Sequence, residues 1–347
     1  MRRCFDLARL GAGLTAPNPM VGAVLVHHER IIGEGWHQRY GQAHAEVNAL
    51  RSVREEDKHL ISDSMLYVSL EPCCIHGNTP PCTDLILRHN IQKVVVSCLD
   101  HTPGVSGRGI ELLRKAGVEV VTGVLQKTGE ALSRIRNTYV TMKRPFVVLK
   151  FARSEDGFIG RQGESISISN TFTQRFVHRL RTEHAAILVG TNTAVTDNPK
   201  LDNRYWQGPS PLRVVLDRNL RIPKTHHLYS DGRRTCIVTE QNKPPLPAAQ
   251  HVDFLQIKFD EKLLPCLLAH LFENKISSIL VEGGAVTLQS FLDGGWWDEA
   301  LVITGNKTLG HGIPAPVVAG QIEHTSTLAG DVITLLMNPV PVALNFV

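Results

Sequence analysis

One histidine, one glutamate and two cysteines carry the first recognisable chemistry in this sequence. His44-Ala45-Glu46 is followed by Glu71-Pro72-Cys73-Cys74 and then by Thr79-Pro80-Pro81-Cys82. The His44 imidazole and the thiolates of Cys73 and Cys82 are borderline-to-soft ligands suited to Zn2+. Three protein ligands leave the fourth tetrahedral position to water, which is a catalytic arrangement. Zinc lowers the pKa of such a water toward about 7. A carboxylate that is not a ligand must then move the protons, and Glu46 is placed to do so. Residues i and i+2 do not share a face of a regular helix. His44 and Glu46 therefore work together only in a first turn, where the helix end also favours negative charge. Cys82 follows Pro81 in another first turn, which stabilises a thiolate in the same way.

The general zinc-deaminase signature joins H-x-E to P-C-x-x-C. Here the second cysteine comes eight residues after Cys74 instead. The alternative is a closed structural zinc site with Cys74 as fourth ligand. Adjacent Cys73 and Cys74 rarely both reach one ion, and that reading leaves Glu46 without a role.

The second half offers a weaker signal, Val281-Glu282-Gly283-Gly284-Ala285, between a strand pattern and a helical one. Glycines at such a turn let backbone amides approach a phosphate, with the helix N-terminus assisting. No G-x-G-x-x-G fingerprint is present, so a standard Rossmann site is not expected.

The elements that must position these groups alternate. Helical spacing covers 2–11, 44–53, 81–89 and 107–116, and strand patterns cover 21–26, 30–36, 65–70, 93–97 and 118–121. This predicts a three-layer α/β/α domain. A polar, helix-like connector at 126–143 is broken by Arg144-Pro145, and a new apolar strand starts at Phe146. The expected domains are 1–143 and 144–347. Strands are expected in the second at 185–189, 212–216, 235–239, 278–281 and 300–304. The stretch after Gly310 is weakly patterned, and Pro244-Pro245-Leu246-Pro247 reads as a surface loop.

A chain of 347 residues exceeds one ordinary core. Its 42% hydrophobic and 20% charged content is that of a globular protein. The net charge of +4 comes without a dense basic tract interleaved with aromatics, so no nucleic-acid partner is expected. No apolar run reaches about 18 residues, so no membrane partner is expected either. Asp6 and Arg9 interrupt the N-terminal apolar positions, unlike a signal peptide. Seven cysteines, three of them within ten residues, fit a metal site plus buried thiols in a reducing cytoplasm.

Pro17-Asn18-Pro19-Met20-Val21-Gly22-Ala23-Val24, His44-Ala45-Glu46, Glu71-Pro72-Cys73 and Thr79-Pro80-Pro81-Cys82 together resemble the bifunctional deaminase/reductase family of riboflavin biosynthesis. Gly107-Arg108-Gly109-Ile110 is similar to it too. The resemblance continues through Asp156-Gly157, 186–190, Asp197-Asn198-Pro199, 213–217 and Val281-Glu282-Gly283-Gly284, and so spans nearly the whole chain. It implies a cytidine-deaminase-like first domain and a dihydrofolate-reductase-like α/β second domain that uses NADPH. The implied substrate is a diaminopyrimidinone carrying a ribosylamino 5-phosphate. It is deaminated, and its ribosyl ring is then reduced to ribityl by hydride transfer to the anomeric carbon.

By the same resemblance, Asn18 and His37 hold the pyrimidine and its arm. Arg181 and Arg204 bind the substrate phosphate, and Ser165, Leu201 and Glu282 contact substrate. Ala152, Thr193, Asp197 and Gly284 line the NADPH site. Three positions depart from the family pattern. Ile75 stands where a histidine is usual, with His76 next to it as the substitute. Asn78 stands for a basic residue, and Ser167 for a tryptophan that contacts NADPH. The exposed sheet edges of such domains are compatible with a homodimer. A zinc deaminase of another nucleobase-type substrate, with a divergent second domain, stays open as the alternative.

Overall fold

The computed structural model describes residues 1–77, 80–242 and 250–344. Asn78, Thr79 and the proline-rich loop at 244–247 lie outside the described residues. The chain forms two compact units, Met1–Met142 and Lys143–Val347.

In the first unit, β1 (Gly22–His27), β2 (Arg30–Trp36), β3 (Met65–Leu70), β4 (Lys93–Cys98) and β5 (Glu119–Val121) form one sheet in the order β2-β1-β3-β4-β5. β1 runs antiparallel to β2 and β3, while β3, β4 and β5 are parallel. The helices are α1 (Arg2–Arg9), α2 (Ala45–Arg51), α3 (Cys82–Arg88), α4 (Arg108–Lys115) and α5 (Gln126–Thr141). Alternation along β1 makes the layers. Ala23 and Leu25 pack into the core that holds Ala45 and Ala49 of α2, whereas Val24 packs with Cys4 and Leu7 of α1.

Two glycines explain why α2 lies so close to its strand. Gly33 and Gly35 are two apart on β2 and point to the same face. A side chain at either would collide with the Ala49 backbone. Asn48 completes the fixation by donating to the Trp36 carbonyl at 2.8 Å. The start of α2, which carries His44 and Glu46, is thereby set against the sheet.

The second unit has β6 (Phe146–Arg153), β7 (Phe158–Gly160), α6 (Thr171–Glu183), β8 (Ala186–Gly190), α7 (Thr191–Asp197), β9 (Leu212–Leu216), α8 (His227–Ser230), β10 (Thr235–Thr239), β11 (Val252–Gln256), α9 (Leu263–Glu273), β12 (Ser278–Val281), α10 (Ala285–Asp293), β13 (Glu299–Thr304), β14 (Ile313–Pro314), β15 (Gln321–Leu328) and β16 (Asp331–Met337). Its main sheet has nine strands in the order β11-β10-β9-β8-β12-β6-β13-β16-β15. The first seven of that order are parallel, and β16 and β15 add an antiparallel end. β8 reads as a continuous apolar run because both its faces are covered. Ala186 and Leu188 enter one core; Ile187 and Val189 enter the other.

The weakly patterned stretch after Gly310 turns out to hold β14, β15 and β16. β15 escapes a hydrophobic reading because nearly all its residues are exposed. β7 and β14 form a separate two-stranded sheet.

One buried pair anchors the entry to this unit. Arg144 Nη1 and Nη2 donate to Asp298 Oδ2 and Oδ1 at 2.6 and 2.8 Å, and the Val147 amide donates to Oδ2 at 2.7 Å. Removing one member of a buried ion pair leaves the other uncompensated. Asp298→Ala is expected to destabilise the second unit by about 3–5 kcal/mol. Urea unfolding followed by the tryptophans, all of which lie in that unit apart from Trp36, measures it.

Candidate zinc and nucleotide sites

His44 is the N-cap of α2, with extended backbone at φ −72° and ψ 167°, and Glu46 is the second helical residue. This resolves the i, i+2 problem, because the cap departs from the helical path before Glu46 turns onto it. Cys82 opens α3 behind Pro81, and Cys73 lies on the segment leaving β3. His44 Nδ1 is 3.5 Å from Cys73 Sγ and 3.3 Å from Cys82 Sγ. Tetrahedral zinc with Zn–S of about 2.3 Å and Zn–N of about 2.0 Å requires N···S edges of roughly 3.5 Å. The donor set thus fits zinc in type and in spacing. It is the one His/Cys/Asp/Glu group able to hold a metal among the described residues. Cys74 is not part of it; its sulfur turns toward the Gly104 carbonyl at 3.9 Å.

The electrostatics suit a metal and a proton carrier. Hydrogen bonds from Cys82 and His44 drive the Cys73 thiol down to about 4, against the effect of its burial. The Cys82 amide at the helix start also donates to this sulfur at 3.3 Å. Glu46 is only 3% exposed, and burial pushes its carboxyl above the usual range. A carboxyl so raised exchanges protons more readily near neutrality.

Glu71 supports the metal segment from below. Its Oε2 accepts from the Gly107 amide at 2.9 Å and the Asp100 amide at 3.3 Å, and its Oε1 from the Gly109 amide at 3.0 Å. A side chain at Gly109 would strike the Pro72 carbonyl, so α4 can approach Pro72-Cys73 only with glycine there.

His37 and Asn18 meet beside the metal ligands. The His37 ring is buried and lies edge-to-face with His44, centroids 5.5 Å apart. Its Nδ1 donates to the Ala43 carbonyl at 3.1 Å, because a carbonyl can only accept. Its Nε2 is then the acceptor for Asn18 Nδ2 at 3.2 Å. Burial lowers the His37 pKa, which keeps the ring neutral in this role. Arg136 of α5 holds the same loop through the Pro17 carbonyl at 3.2 Å. His76 and Ile75 are exposed on the segment beyond Cys74.

In the second unit, the cavity wall includes residues at or just past the carboxyl ends of β8, β9 and β12, where α/β sheets take ligands, and Glu282 also follows β12 directly. Arg181 makes a two-pronged pair with Glu282, Nε to Oε1 at 2.7 Å and Nη2 to Oε2 at 2.8 Å. Its Nη1 donates to the Asp202 carbonyl at 2.8 Å. Lys150 Nζ lies 3.7 Å from Glu282 Oε2. Burial would raise the Glu282 carboxyl, but the Arg181 and Lys150 charges overcome it and hold it at about 2. Burial lowers the Lys150 ammonium from its usual value. Arg204 pairs with Asp202 Oδ1 at 2.6 Å and lies over the Tyr205 ring at 4.9 Å. Leu201 is buried with φ +49° at the bend beside Asp202.

A cavity of about 860 Å3 opens next to this cluster, lined by Thr193, Asp197, Gly284, Thr287, Arg221 and Phe259 among others. That volume suits a large cofactor. The Ser165 hydroxyl partly offsets the rise that burial imposes on the Asp197 carboxyl. Ala152 packs against the cluster of Val177, Leu301, Ile303 and Ile333 and is not in the cavity wall. Ser167 is exposed, accepts from Gln174 at 3.0 Å and is likewise absent from that wall.

The model for the cytidine and deoxycytidylate deaminase zinc-binding region matches residues 1–98, and the RibD C-terminal domain model matches residues 145–332. The riboflavin biosynthesis protein RibD of Aquifex aeolicus is 39% identical over 318 residues, 90% of this chain and 88% of that protein. The chain belongs to the RibD family. RibD of Actinobacillus pleuropneumoniae is 40% identical over 85% of this chain and 80% of its own length. Among solved structures, a diaminohydroxyphosphoribosylaminopyrimidine deaminase/5-amino-6-(5-phosphoribosylamino)uracil reductase from Thermotoga maritima superposes with a TM-score of 0.89 at 36% identity, covering 97% of each chain. Acinetobacter baumannii RibD gives 0.84 at 30% identity and 98% coverage of each chain. As a RibD protein, the chain has the expected fold class, a cytidine-deaminase-like unit followed by a dihydrofolate-reductase-like one.

Within this RibD chain, sequence reasoning passed over Lys150, His178, Asp202 and Arg233. Lys150 had a readable signal, being the one charge between Phe146 and Phe151 of an apolar strand. His178 stands three residues before Arg181 on one face of α6. It packs edge-to-face on Tyr205 at 4.7 Å, and burial lowers its pKa to about 4. Asp202, which accepts from Arg233 at 2.6 Å through Oδ2, had no local signal.

Proposed function

We propose that this protein is a zinc- and NADPH-dependent bifunctional enzyme of riboflavin biosynthesis. Residues 1–143 act as the deaminase and 144–347 as the reductase. The substrate is a diaminopyrimidinone with a ribosylamino 5-phosphate; the deaminated product passes to reduction of ribosyl to ribityl. The observation that carries the reading is the His44–Cys73–Cys82 triangle with the buried Glu46 beside it.

When bound to His44 Nδ1, Cys73 Sγ and Cys82 Sγ, zinc supplies Lewis acidity and a water acidified toward neutrality. Glu46 takes up the proton released, gives it to the ring nitrogen and later serves the departing amine. Asn18 donates to His37, leaving its Oδ1 as the end of the amide available to the pyrimidine. The neutral His37 ring cannot repel the metal.

In the second unit, NADPH supplies hydride, and the protein supplies position and charge. Arg181 spends donors on Glu282 and Asp202 and keeps others for a phosphate. Arg204 presents a second guanidinium, steadied by Asp202 and Tyr205. Glu282, the residue just past β12, and Lys150 of the neighbouring strand β6 form a charged pair beside the reacting sugar. Thr193, Asp197 and Gly284 line the cofactor cavity, with Ala152 and Ser167 outside its present wall.

Among the described residues no helix is long and apolar enough to cross a membrane. Six of the seven cysteines are at least partly buried and all are free, which supports a cytoplasmic setting. The exposed edge strand β15 supports a homodimer, because an unpaired edge is a template for a second strand.

Metal removal tests the assignment of chemistry to the two units. Dialysis against a strong chelator is expected to abolish ammonia release from the diaminopyrimidine and leave reduction of the deaminated compound intact. Zinc restores the first activity. Ammonia release that survives verified removal of zinc contradicts the reading.

A further inference from the structure

Two loops flank the metal segment at one edge of the first sheet. Cys73 lies beyond the carboxyl end of β3, and β3 lies between β1 and β4. β1 runs antiparallel to β3, so the loop that enters β1 with Pro17 and Asn18 meets the same edge. β4 runs parallel to β3, so the loop that leaves it with Asp100 and Thr102 meets that edge as well. One side chain joins the two loops across the exit of β3. Arg136 of α5 donates from Nη1 to the Pro17 carbonyl at 3.2 Å and from Nη2 to Thr102 Oγ1 at 3.0 Å.

A loop anchor does not require a charge, and this one is held at a cost. Arg136 is half-buried, its Nε is buried without a partner, and it forms no ion pair among the described residues. Burial lowers its pKa, and the Asp100 charge opposes this only in part. What the guanidinium supplies is geometry, a planar fork that reaches two acceptors at once. The Thr102 end of the strut is itself tied to the metal frame. The Thr102 amide donates to Asp100 Oδ1 at 2.8 Å, and the Asp100 amide donates to Glu71, the carboxylate that supports the metal segment. The Pro17 end is one residue from Asn18, whose Nδ2 donates to His37 Nε2 at 3.2 Å. We infer that Arg136 is a further positioning residue of the deamination step, acting through Asn18 by fixing its loop against the frame around the metal. The inference rests on the contact of Asn18 with the pyrimidine in the proposed function.

A double-substitution cycle on the full-length, zinc-loaded protein tests it, read as ammonia release from the phosphorylated diaminopyrimidine. Arg136→Met keeps most of the apolar stem and removes both donors. It should retain one zinc per chain and the wild-type circular dichroism spectrum, and lower kcat/KM for deamination by roughly 10-fold, the range of a lost hydrogen bond to a charged group. Asn18→Ala should lower it by at least as much. In the Asn18→Ala background, adding Arg136→Met should cost no more than about twofold, because the residue it acts through is gone. Arg136→Lys, which keeps the charge but reaches one acceptor, should lose less and be equally silent in that background. Losses that multiply, or full activity in Arg136→Met, overturn the role of Arg136 while leaving the deaminase standing. Loss of zinc or of the native spectrum in both Arg136 variants overturns it too, by making the residue a plain part of the scaffold. Wild-type protein that releases no ammonia overturns the deaminase reading and this inference with it.

Discussion

Replacing Glu46 by glutamine is expected to leave one zinc per chain and lower the deamination rate constant by roughly 10²–10⁴-fold. The argument is local. Glu46 is not among the three ligand positions, so the metal keeps its donors. The side chain is buried, and burial penalises its charged form, so a neutral amide of the same shape is tolerated. What the amide cannot do is accept a proton from water and return it to nitrogen. Metal analysis, circular dichroism and an ammonia assay on the same sample separate these effects. Loss of zinc together with activity would instead make Glu46 part of the scaffold. Full activity would remove it from the chemistry.

Glu282→Gln is expected to lower kcat/KM for reduction by at least about 100-fold while deamination is unchanged. The carboxylate takes both prongs of Arg181 and faces Lys150, and the neighbouring charges hold its pKa at about 2. Glutamine keeps one acceptor and turns an amide N–H toward a guanidinium. Two cations are then left without their counter-charge, and breaking such a pair costs about 3–5 kcal/mol. Part of that cost falls on folding and part on substrate binding, so thermal melting should be measured beside the kinetics. The pH dependence has a definite sign. A carboxylate depressed from 4.5 to about 2 contributes stability that is full above pH 4.5 and is lost as pH falls toward 2. The wild type should lose this contribution over that window and the variant should lack it throughout.

The sequence spoke most clearly where chemistry or burial restricts residue type. Zinc admits few donors, so His44, Cys73 and Cys82 stood out across a gap of unusual width. Strands covered on both faces, such as Ala186–Gly190, are built of apolar residues and are readable at once. β15 was not, because an edge strand with Glu323, His324 and Thr325 in water needs no apolar pattern. The strand from Phe146 was legible only to Leu149, because Lys150 interrupts the apolar run while the ladder continues to Arg153. The same interruption marks a functional position. The Arg181–Glu282–Lys150 group illustrates the harder limit. Its members come from three elements far apart in sequence, and only the strand order β8-β12-β6 makes them neighbours.

The most direct test of the two-step account follows both steps in one vessel. Zinc-loaded protein is mixed with the phosphorylated diaminopyrimidine and NADPH, and ammonia and nicotinamide absorbance are recorded together. The account predicts ammonia release with or without NADPH, and NADPH oxidation that begins only as deaminated product forms. Glu46→Gln should abolish both signals, and adding the deaminated compound should restore oxidation alone. Ammonia release with no NADPH oxidation, even when the deaminated compound is supplied, would contradict the account and leave a zinc deaminase whose second unit has other work.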